Sequence, residues 1–271
     1  MSLVSPHNAR NAIKNVAYAF EFSQQLSSDT VKHAIEIYKK SMMMTVELPR
    51  SQPIESMTFQ MEGTGAFSPS SKMLAGVSFD RLLANGEPEW SVTFRPDAFV
   101  IICGRYESWS KNLNKAFEYM QIFSKALKDV AINTIGLEFN DEFHISDLSD
   151  PSWMEELFNV KSNYLTQDIL NKKGAWHLHS GCWSEDYYHK DISLTLINSF
   201  IESLEDQQTG KCHLNIKHLQ KCRYSEPVDI STSSALENAR VIFEKAHEVN
   251  YSFMSNLIGT AMKTRINMED K

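Results

Sequence analysis

A tight antiparallel hairpin is predicted by residues 89–103, which read EWSVTFRPDAFVIIC. The segments 89–94 and 98–103 are rich in β-branched and aromatic residues, as strands are. Arg95-Pro96-Asp97 joins them, because proline fixes a backbone angle that suits a turn and aspartate can cap it. The two strands must therefore pair directly, which predicts an antiparallel sheet.

Further strand-like segments lie on both sides of this hairpin. They span residues 16–22, 57–61, 75–79, 131–145, 175–182, 192–197 and 212–219. In the segment 131–145 the side chains of Ile135, Leu137 and Phe139 fall on one face. Those of Glu138 and Asn140 fall on the other face. This alternation is typical of a strand with one buried and one polar side.

Two helices are predicted in the first part of the chain. The first has three candidate N-caps, which are Ser27, Ser28 and Asp29. The second starts near Ser108 or Ser110 and carries one broad apolar stripe at helical spacing. The stripe consists of Trp109, Leu113, Phe117, Met120, Phe123 and Leu127. Such a stripe favours packing against a sheet.

Two more helices are predicted in the second part. A short helix follows Asp150-Pro151, with the aspartate as N-cap and the proline at the first helical position. A long C-terminal helix follows a capping box formed by Ser234 and Glu237. Its apolar residues then recur at helical spacing from Leu236 to Leu257.

These elements predict an α+β fold, because hairpin-linked strands with helices set to one side are not typical of a doubly wound parallel sheet. We expect antiparallel sheets in two similar halves packed against helices, with a long C-terminal helix. Residues 1–150 would form the first α+β half. Residues 151–271 would form a three-stranded sheet plus the long helix, and the two would make one compact unit.

Composition and charge exclude several classes of function. The 271 residues are 42% hydrophobic, and the formal net charge of −7 opposes binding to nucleic acid. No stretch approaches the ~18 apolar residues of a membrane span. The N-terminus lacks a signal-peptide pattern and no C-x-x-C spacing occurs, so we expect a cytoplasmic protein. No cofactor is predicted, because Gly63-Thr64-Gly65, in a predicted loop over residues 63–71, is too short for a phosphate-binding motif.

Two histidines on one strand face are the candidate metal ligands. His177 and His179 are two residues apart in the predicted strand 175–182, so their side chains point the same way. This geometry can chelate zinc if Asp186, His189 or Asp191 approaches as a third ligand. The alternative, which the sequence favours, is the polar face of a solvent-exposed strand.

Two other groups of reactive residues have structural interpretations. Cys182 could act as a nucleophile beside His179 or His189, but the nearby acids Glu185 and Asp186 disfavour a thiolate, so we interpret Cys182 as a buried, inert thiol. A run of acids with His144 among them could form a metal or acid-base cluster, but we interpret it as the solvated end of a strand and a helix start, because acids stabilise helix starts. The acids are Glu138, Asp141, Glu142, Asp147 and Asp150.

Three short segments resemble a known family. They are residues 94–100, the helix start Tyr106-Glu107-Ser108-Trp109 and the strand Ile135-Gly136-Leu137-Glu138-Phe139-Asn140. They resemble an uncharacterised bacterial family of similar length that is sporadically distributed across lineages. Its members carry a Tyr-x-Ser-aromatic helix start and a Gly-Leu-Arg-Tyr-Ile-Asn-like strand. The C-terminal helix, with His247 and Phe253, resembles the family's closing segment.

The resemblance implies a folded, stand-alone bacterial protein linked to mobile-element or phage-defence genes, and it implies no activity. The family's arginine is Glu138 here and its asparagine falls one place earlier, at Asn140, so no role of that arginine transfers.

The sequence favours a non-enzymatic protein that binds a partner protein or itself as a homo-oligomer. No catalytic motif is recognisable, the antiparallel strands offer edges, and the long C-terminal helix offers an interface. One alternative is a metal-dependent hydrolase using His177 and His179. Another is a small-ligand-binding module, in which Trp176, Trp183, Tyr187 and Tyr188 line a cavity between sheet and helix.

Overall fold

One large antiparallel sheet forms the centre of the molecule. The computed structural model describes residues 2–61, 67–184 and 189–268. The ten strands are β1 (Val4–Pro6), β2 (Ile13–Phe22), β3 (Arg50–Met61), β4 (Phe67–Leu82), β5 (Pro88–Phe94), β6 (Ala98–Cys103), β7 (Ala131–Ile145), β8 (Trp176–Ser184), β9 (Ile192–Glu205) and β10 (Cys212–Asp229). Their order is β3-β4-β5-β6-β2-β7-β10-β9-β8, and β1 pairs with the end of β7.

Seven α-helices accompany the sheet in the described part of the chain. They are α1 (Ser28–Lys40), α2 (Met42–Glu47), α3 (Trp109–Phe123), α4 (Ser152–Leu157), α5 (Gln167–Leu170), α6 (Ser233–Leu257) and α7 (Thr260–Arg265). The predicted α+β class with a long C-terminal helix is therefore confirmed. None of these helices is long and apolar enough to cross a membrane.

The two halves of the chain repeat one arrangement. In the first half, β2 is followed by helices, then by the meander β3 to β6, whose last strand returns to pair with β2. In the second half, β7 is followed by helices and the meander β8 to β10, and β10 returns to pair with β7. Pairing of β2 with β7 joins the halves into a single sheet. A domain division at residue 150 stays a prediction.

Helices cover one face of this sheet. On β7, the side chains of Ile135, Leu137 and Phe139 are buried in the main apolar core, as the alternation predicts. The core also contains Phe117 from α3 and Phe243 from α6. A second apolar cluster under α4 and the end of α6 continues along the same sheet and includes Trp153 and Phe253. The opposite face of β7 carries the polar residues of the alternating pattern, Glu138 and Asn140.

Local capping differs from the sequence-based expectation at three helices. At α4 the N-cap is Pro151 rather than Asp150, and the Asp150 carboxylate accepts from the N–H of Ser152. Ser108 precedes α3 but makes no side-chain capping bond. Instead, Oδ1 of Asn112 accepts hydrogen bonds from the backbone N–H groups of Glu107 and Ser108. The capping box Ser234/Glu237 is wrong: Thr232 is the N-cap of α6, and its hydroxyl accepts from the N–H of Ala235.

The remaining boundaries differ mainly in length. Of the three candidate N-caps of α1, Ser27 is the cap, and its hydroxyl accepts from the N–H of Thr30. The loop predicted over residues 63–71 is wrong in its second part, because β4 begins at Phe67. Gly63-Thr64-Gly65 lies outside the described residues. Strands β8, β9 and β10 all extend beyond the predicted segments, because polar residues on the uncovered face do not end a strand.

Candidate functional site

The predicted histidine pair lies on the terminal strand β8. His177 and His179 are exposed on one face, each against the ring of Phe200, with ring centroids about 6 Å apart. Nε2 of His179 lies 2.6 Å from Oδ1 of Asn198. Nδ1 of His189 lies 3.3 Å from a carboxylate oxygen of Asp191. Asp186 lies outside the described residues, so the metal site at this pair stays a prediction.

Cys182 is exposed, so its interpretation as a buried thiol is wrong. It lies on the helix-facing side of β8, where the side chains of the terminal strand reach solvent. There it lines a cleft of about 330 Å³ together with His218 and Phe253. Burial lowers the pKa of His218 to about 4, so this imidazole is neutral near pH 7. His179 lies on the opposite face of β8, and His189 lies beyond its end.

The acids of β7 are not a solvated strand end, contrary to the sequence-based interpretation. Asp141 and Glu142 are both buried, and they point to opposite faces of the sheet. Oε1 of Glu142 lies 3.0 Å from Nδ1 of His7, and its Oε2 lies 2.8 Å from Nζ of Lys14. The hydrogen bond from His7, together with the ion pair to Lys14, lowers the pKa of Glu142 to about 2.

Asp141 faces a cleft of about 660 Å³ between the sheet and the helices. The walls come from four parts of the chain: residues 10–13 before and in β2, residues 106–109 at the start of α3, the second half of α6, and residues 266–268 after α7. The volume suits a small organic molecule. We call this cleft the α3/α6 pocket.

Aromatic side chains form most of the apolar wall. The indole of Trp109 stacks on the imidazole of His247, with ring centroids 4.1 Å apart and planes 5° apart. Phe139 lies edge-on to Tyr106 and tilted to Trp109, with centroids 6.4 Å and 6.0 Å away. Nε1 of Trp109 donates to the Glu244 carboxylate, 2.5 Å away. This network holds the wall in one orientation.

The Asp141 carboxyl is the one acidic group in the floor of this pocket. The residue is 4% exposed, and no side chain in the described ranges hydrogen-bonds or ion-pairs with it. Burial alone raises the pKa of Asp141 to about 7. Burial also raises the pKa of Tyr106, and the Asp141 charge nearby adds to that rise. A carboxylate without partners in an apolar site is unfavourable unless something compensates its charge.

The rim of the pocket is polar and partly closed by the C-terminal residues. Nδ2 of Asn267 donates to the backbone oxygen of Arg10 across the opening, at 2.7 Å. Glu107 and Asn250 also line the pocket. The tie between Asn267 and Arg10 holds residues 266–268 against the segment that precedes β2.

Sequence reasoning included Asp141 in a possible metal or acid-base cluster but favoured a solvated strand end, although a signal for burial was present. The buried row of β7 continues past Phe139 to Phe143, and Asp141 stands between these two phenylalanines on the same face. An acid in the apolar row of a strand is a candidate functional residue. The aromatics predicted for a ligand cavity are placed elsewhere: Trp176 is buried against Trp153, and Trp183 is 67% exposed. Tyr187 and Tyr188 lie outside the described residues.

Two of the three segments that carry the family resemblance, together with the C-terminal helix, contribute residues to this pocket. Tyr106 to Trp109, Phe139 and His247 all line it. A comparison with protein-family models finds no match for this chain, and a comparison with curated proteins finds none. The resemblance to the bacterial family therefore stays a prediction.

Proposed function

We propose that the protein binds a small organic cation with an apolar or aromatic body in the α3/α6 pocket. The single observation that carries this proposal is the buried, unpartnered carboxyl of Asp141 in an aromatic-walled cleft. An ammonium group beside Asp141 would form a charge-assisted hydrogen bond in a site that excludes water. It would also supply the counter-charge that the folded protein lacks at this point.

The aromatic wall supports the same class of ligand. The faces of indole and phenol rings attract cations, and their area favours an apolar body. Tyr106, Trp109 and Phe139 line the pocket together with Asp141. The charge of Arg10 lies at the rim, on an exposed residue, where water screens it.

Calorimetric titration with matched probes tests this proposal. Tryptamine and phenethylamine carry an ammonium group, whereas 2-phenylethanol is neutral and 3-phenylpropionate is an anion of similar size. We expect the two amines to bind and the neutral and anionic probes to bind about tenfold more weakly or not at all, since a hydrogen bond to a charged group contributes about 1.5 kcal/mol or more.

Two variants with similar chemistry locate the binding. Asp141→Asn keeps the shape of the carboxyl and removes its charge, and it should weaken amine binding by about tenfold or more. Asp147→Asn is the control, because Asp147 is exposed beyond β7 and outside the pocket. Equal binding of amine and alcohol, or unchanged amine binding by Asp141→Asn, would refute the proposal.

Self-association through β8 is a second candidate function. This strand ends the sheet, and in the described part of the chain its outer edge pairs with no strand. Trp183 is 67% exposed beside this edge. An open edge next to an exposed tryptophan favours pairing with a second copy. Light scattering of the eluted protein should then give a dimer mass that Trp183→Glu reduces to the monomer mass, and a monomer at all concentrations would contradict it.

A cytoplasmic location is also part of the proposal. All four cysteines are free thiols, which fits a reducing compartment.

A further inference from the structure

A group of metal-ligating side chains lies on the sheet face opposite the α3/α6 pocket. His7, Glu142 and His144 each offer one ligand atom, and these atoms all lie within 4.8 Å of one another. His213 adjoins them, with its Nδ1 atom 3.1 Å from Nδ1 of His144. Two imidazoles and one carboxylate from distant parts of the sequence thus converge, and a third imidazole lies beside them.

Backbone pairing holds these residues in place. Glu142 and His144 are two apart on β7 and therefore share a face. His213 of β10 lies directly opposite His144 in the strand register. The N–H of His7, just beyond β1, donates to the backbone oxygen of Glu142 at 2.9 Å. Because β1, β7 and β10 are joined by sheet hydrogen bonds, the side chains start from fixed positions.

We propose that His7, Glu142 and His144 bind a zinc ion, with His213 beside them as a fourth ligand or as the group that orients His144. Imidazole nitrogen and carboxylate oxygen are ligands that Zn²⁺ accepts in a tetrahedral arrangement. Three protein ligands with a fourth position open to His213 or water meet that requirement.

The surrounding groups favour ligation. Glu142 is 7% exposed, and its Oε1 atom lies 3.0 Å from Nδ1 of His7. Lys14 holds the second carboxylate oxygen, as second-shell partners of metal ligands commonly do.

An ion pair alone does not account for this group. Glu142 already has Lys14 and His7 as cationic or hydrogen-bonding partners, and the charge is balanced without further groups. Nδ1 of His144 faces Nδ1 of His213 at 3.1 Å, and neither imidazole takes part in the ion pair between Glu142 and Lys14. An ion bound by His7, Glu142 and His144 would add the imidazole of His144 to this group, and it would tie the segment after β1 to β7.

Zinc binding is tested on the full chain, purified without a histidine tag and stripped with EDTA. We expect one equivalent of zinc by elemental analysis after dialysis against Zn²⁺. At roughly a hundredfold excess over Kd, the ion should raise the Tm by about 5 °C or more. Co²⁺ in place of Zn²⁺ should give the visible absorption of a tetrahedral site.

Variants decide which histidines bind. His144→Ala should lose the zinc-dependent rise in Tm, whereas the double variant His177→Ala with His179→Ala should keep it. Since His144→Ala could perturb the fold, circular dichroism in EDTA checks it, and Glu142→Gln is the second variant. Absence of stoichiometric zinc in the wild type overturns the proposal. The proposal is also overturned if the β8 double variant loses the zinc-dependent rise in Tm while His144→Ala and Glu142→Gln keep it.

Discussion

Asp141 and Glu142 are consecutive acids on β7, yet they lie in opposite electrostatic environments. Asp141 faces the apolar side of the sheet without a partner, and burial raises its pKa to about 7. Glu142 faces the other side, where its bonds to His7 and Lys14 lower its pKa to about 2. Both residues are less than 10% exposed. The difference shows that partners, rather than burial, decide whether a carboxylate destabilises or stabilises a fold.

Neutralising Asp141 should give the largest effect and should stabilise the protein. The difference between a folded pKa of about 7 and the ordinary 3.8 corresponds to about 4 kcal/mol. Because the folded pKa is raised, the penalty is full above pH 7 and disappears as the pH falls to 3.8. Asp141→Asn should therefore raise the free energy of unfolding at pH 8 by up to that amount. At pH 4 the two proteins should have nearly the same free energy of unfolding.

Urea denaturation of both proteins in EDTA measures this difference. A gain at pH 8 combined with a loss of amine binding would separate function from stability at one residue. An Asp141→Asn protein that is less stable than the wild type at pH 8 would mean that the carboxylate has a partner in solution.

Neutralising Glu142 should give a somewhat smaller effect of the opposite sign. Its folded pKa of about 2 against the ordinary 4.5 corresponds to about 3 kcal/mol of stabilisation at pH 7. A lowered folded pKa gives stability that is present above pH 4.5 and lost as the pH falls towards 2. Glu142→Gln should therefore unfold more easily at pH 7, and the gap to the wild type should close on acidification.

The comparison with Asp141 sharpens if both variants are measured over the same pH range in EDTA. The free energy of unfolding of each variant minus that of the wild type should change with pH in opposite directions. For Asp141→Asn the change should occur between pH 3.8 and 7, and for Glu142→Gln it should occur below pH 4.5. Two curves with the same sign would show that the two acids share one environment.

The sequence predicted the elements better than their partners. The hairpin 89–103 and the stripe of α3 were predictable because they depend on residues close in the chain. The pairing of β7 with β1 and β10 was not, since it joins residue 142 to residues 7 and 215 and leaves no local pattern. For this reason the convergence of His7, His144 and His213 could not be predicted from spacing.

The histidine pair on β8 has the same limit, because its spacing predicts local geometry but not a contact with another part of the chain. Period-two spacing predicts that His177 and His179 share a strand face, and they do. Whether a third ligand approaches depends on the chain after β8, which no local rule positions. Asp141 was different, because the alternation of β7 already placed it among phenylalanines, and following the row for two more residues would have found it.

Removing one partner of Glu142 should give the smallest effect of the three. Nζ of Lys14 lies 2.8 Å from Glu142, and the lysine side chain is 31% exposed, so water screens part of the ion pair. Lys14→Met keeps the length of the side chain and removes its charge. We expect it to lower the free energy of unfolding at pH 7 by about 1 kcal/mol. His7 remains as a partner, so the cost should stay well below that of Glu142→Gln.

The salt dependence of unfolding measures the charge contribution separately, because added salt weakens an exposed ion pair and leaves packing unchanged. The wild type should lose more stability than Lys14→Met between low and high salt. A loss in Lys14→Met as large as in Glu142→Gln would mean that Lys14, and not His7, holds the pKa of Glu142 low.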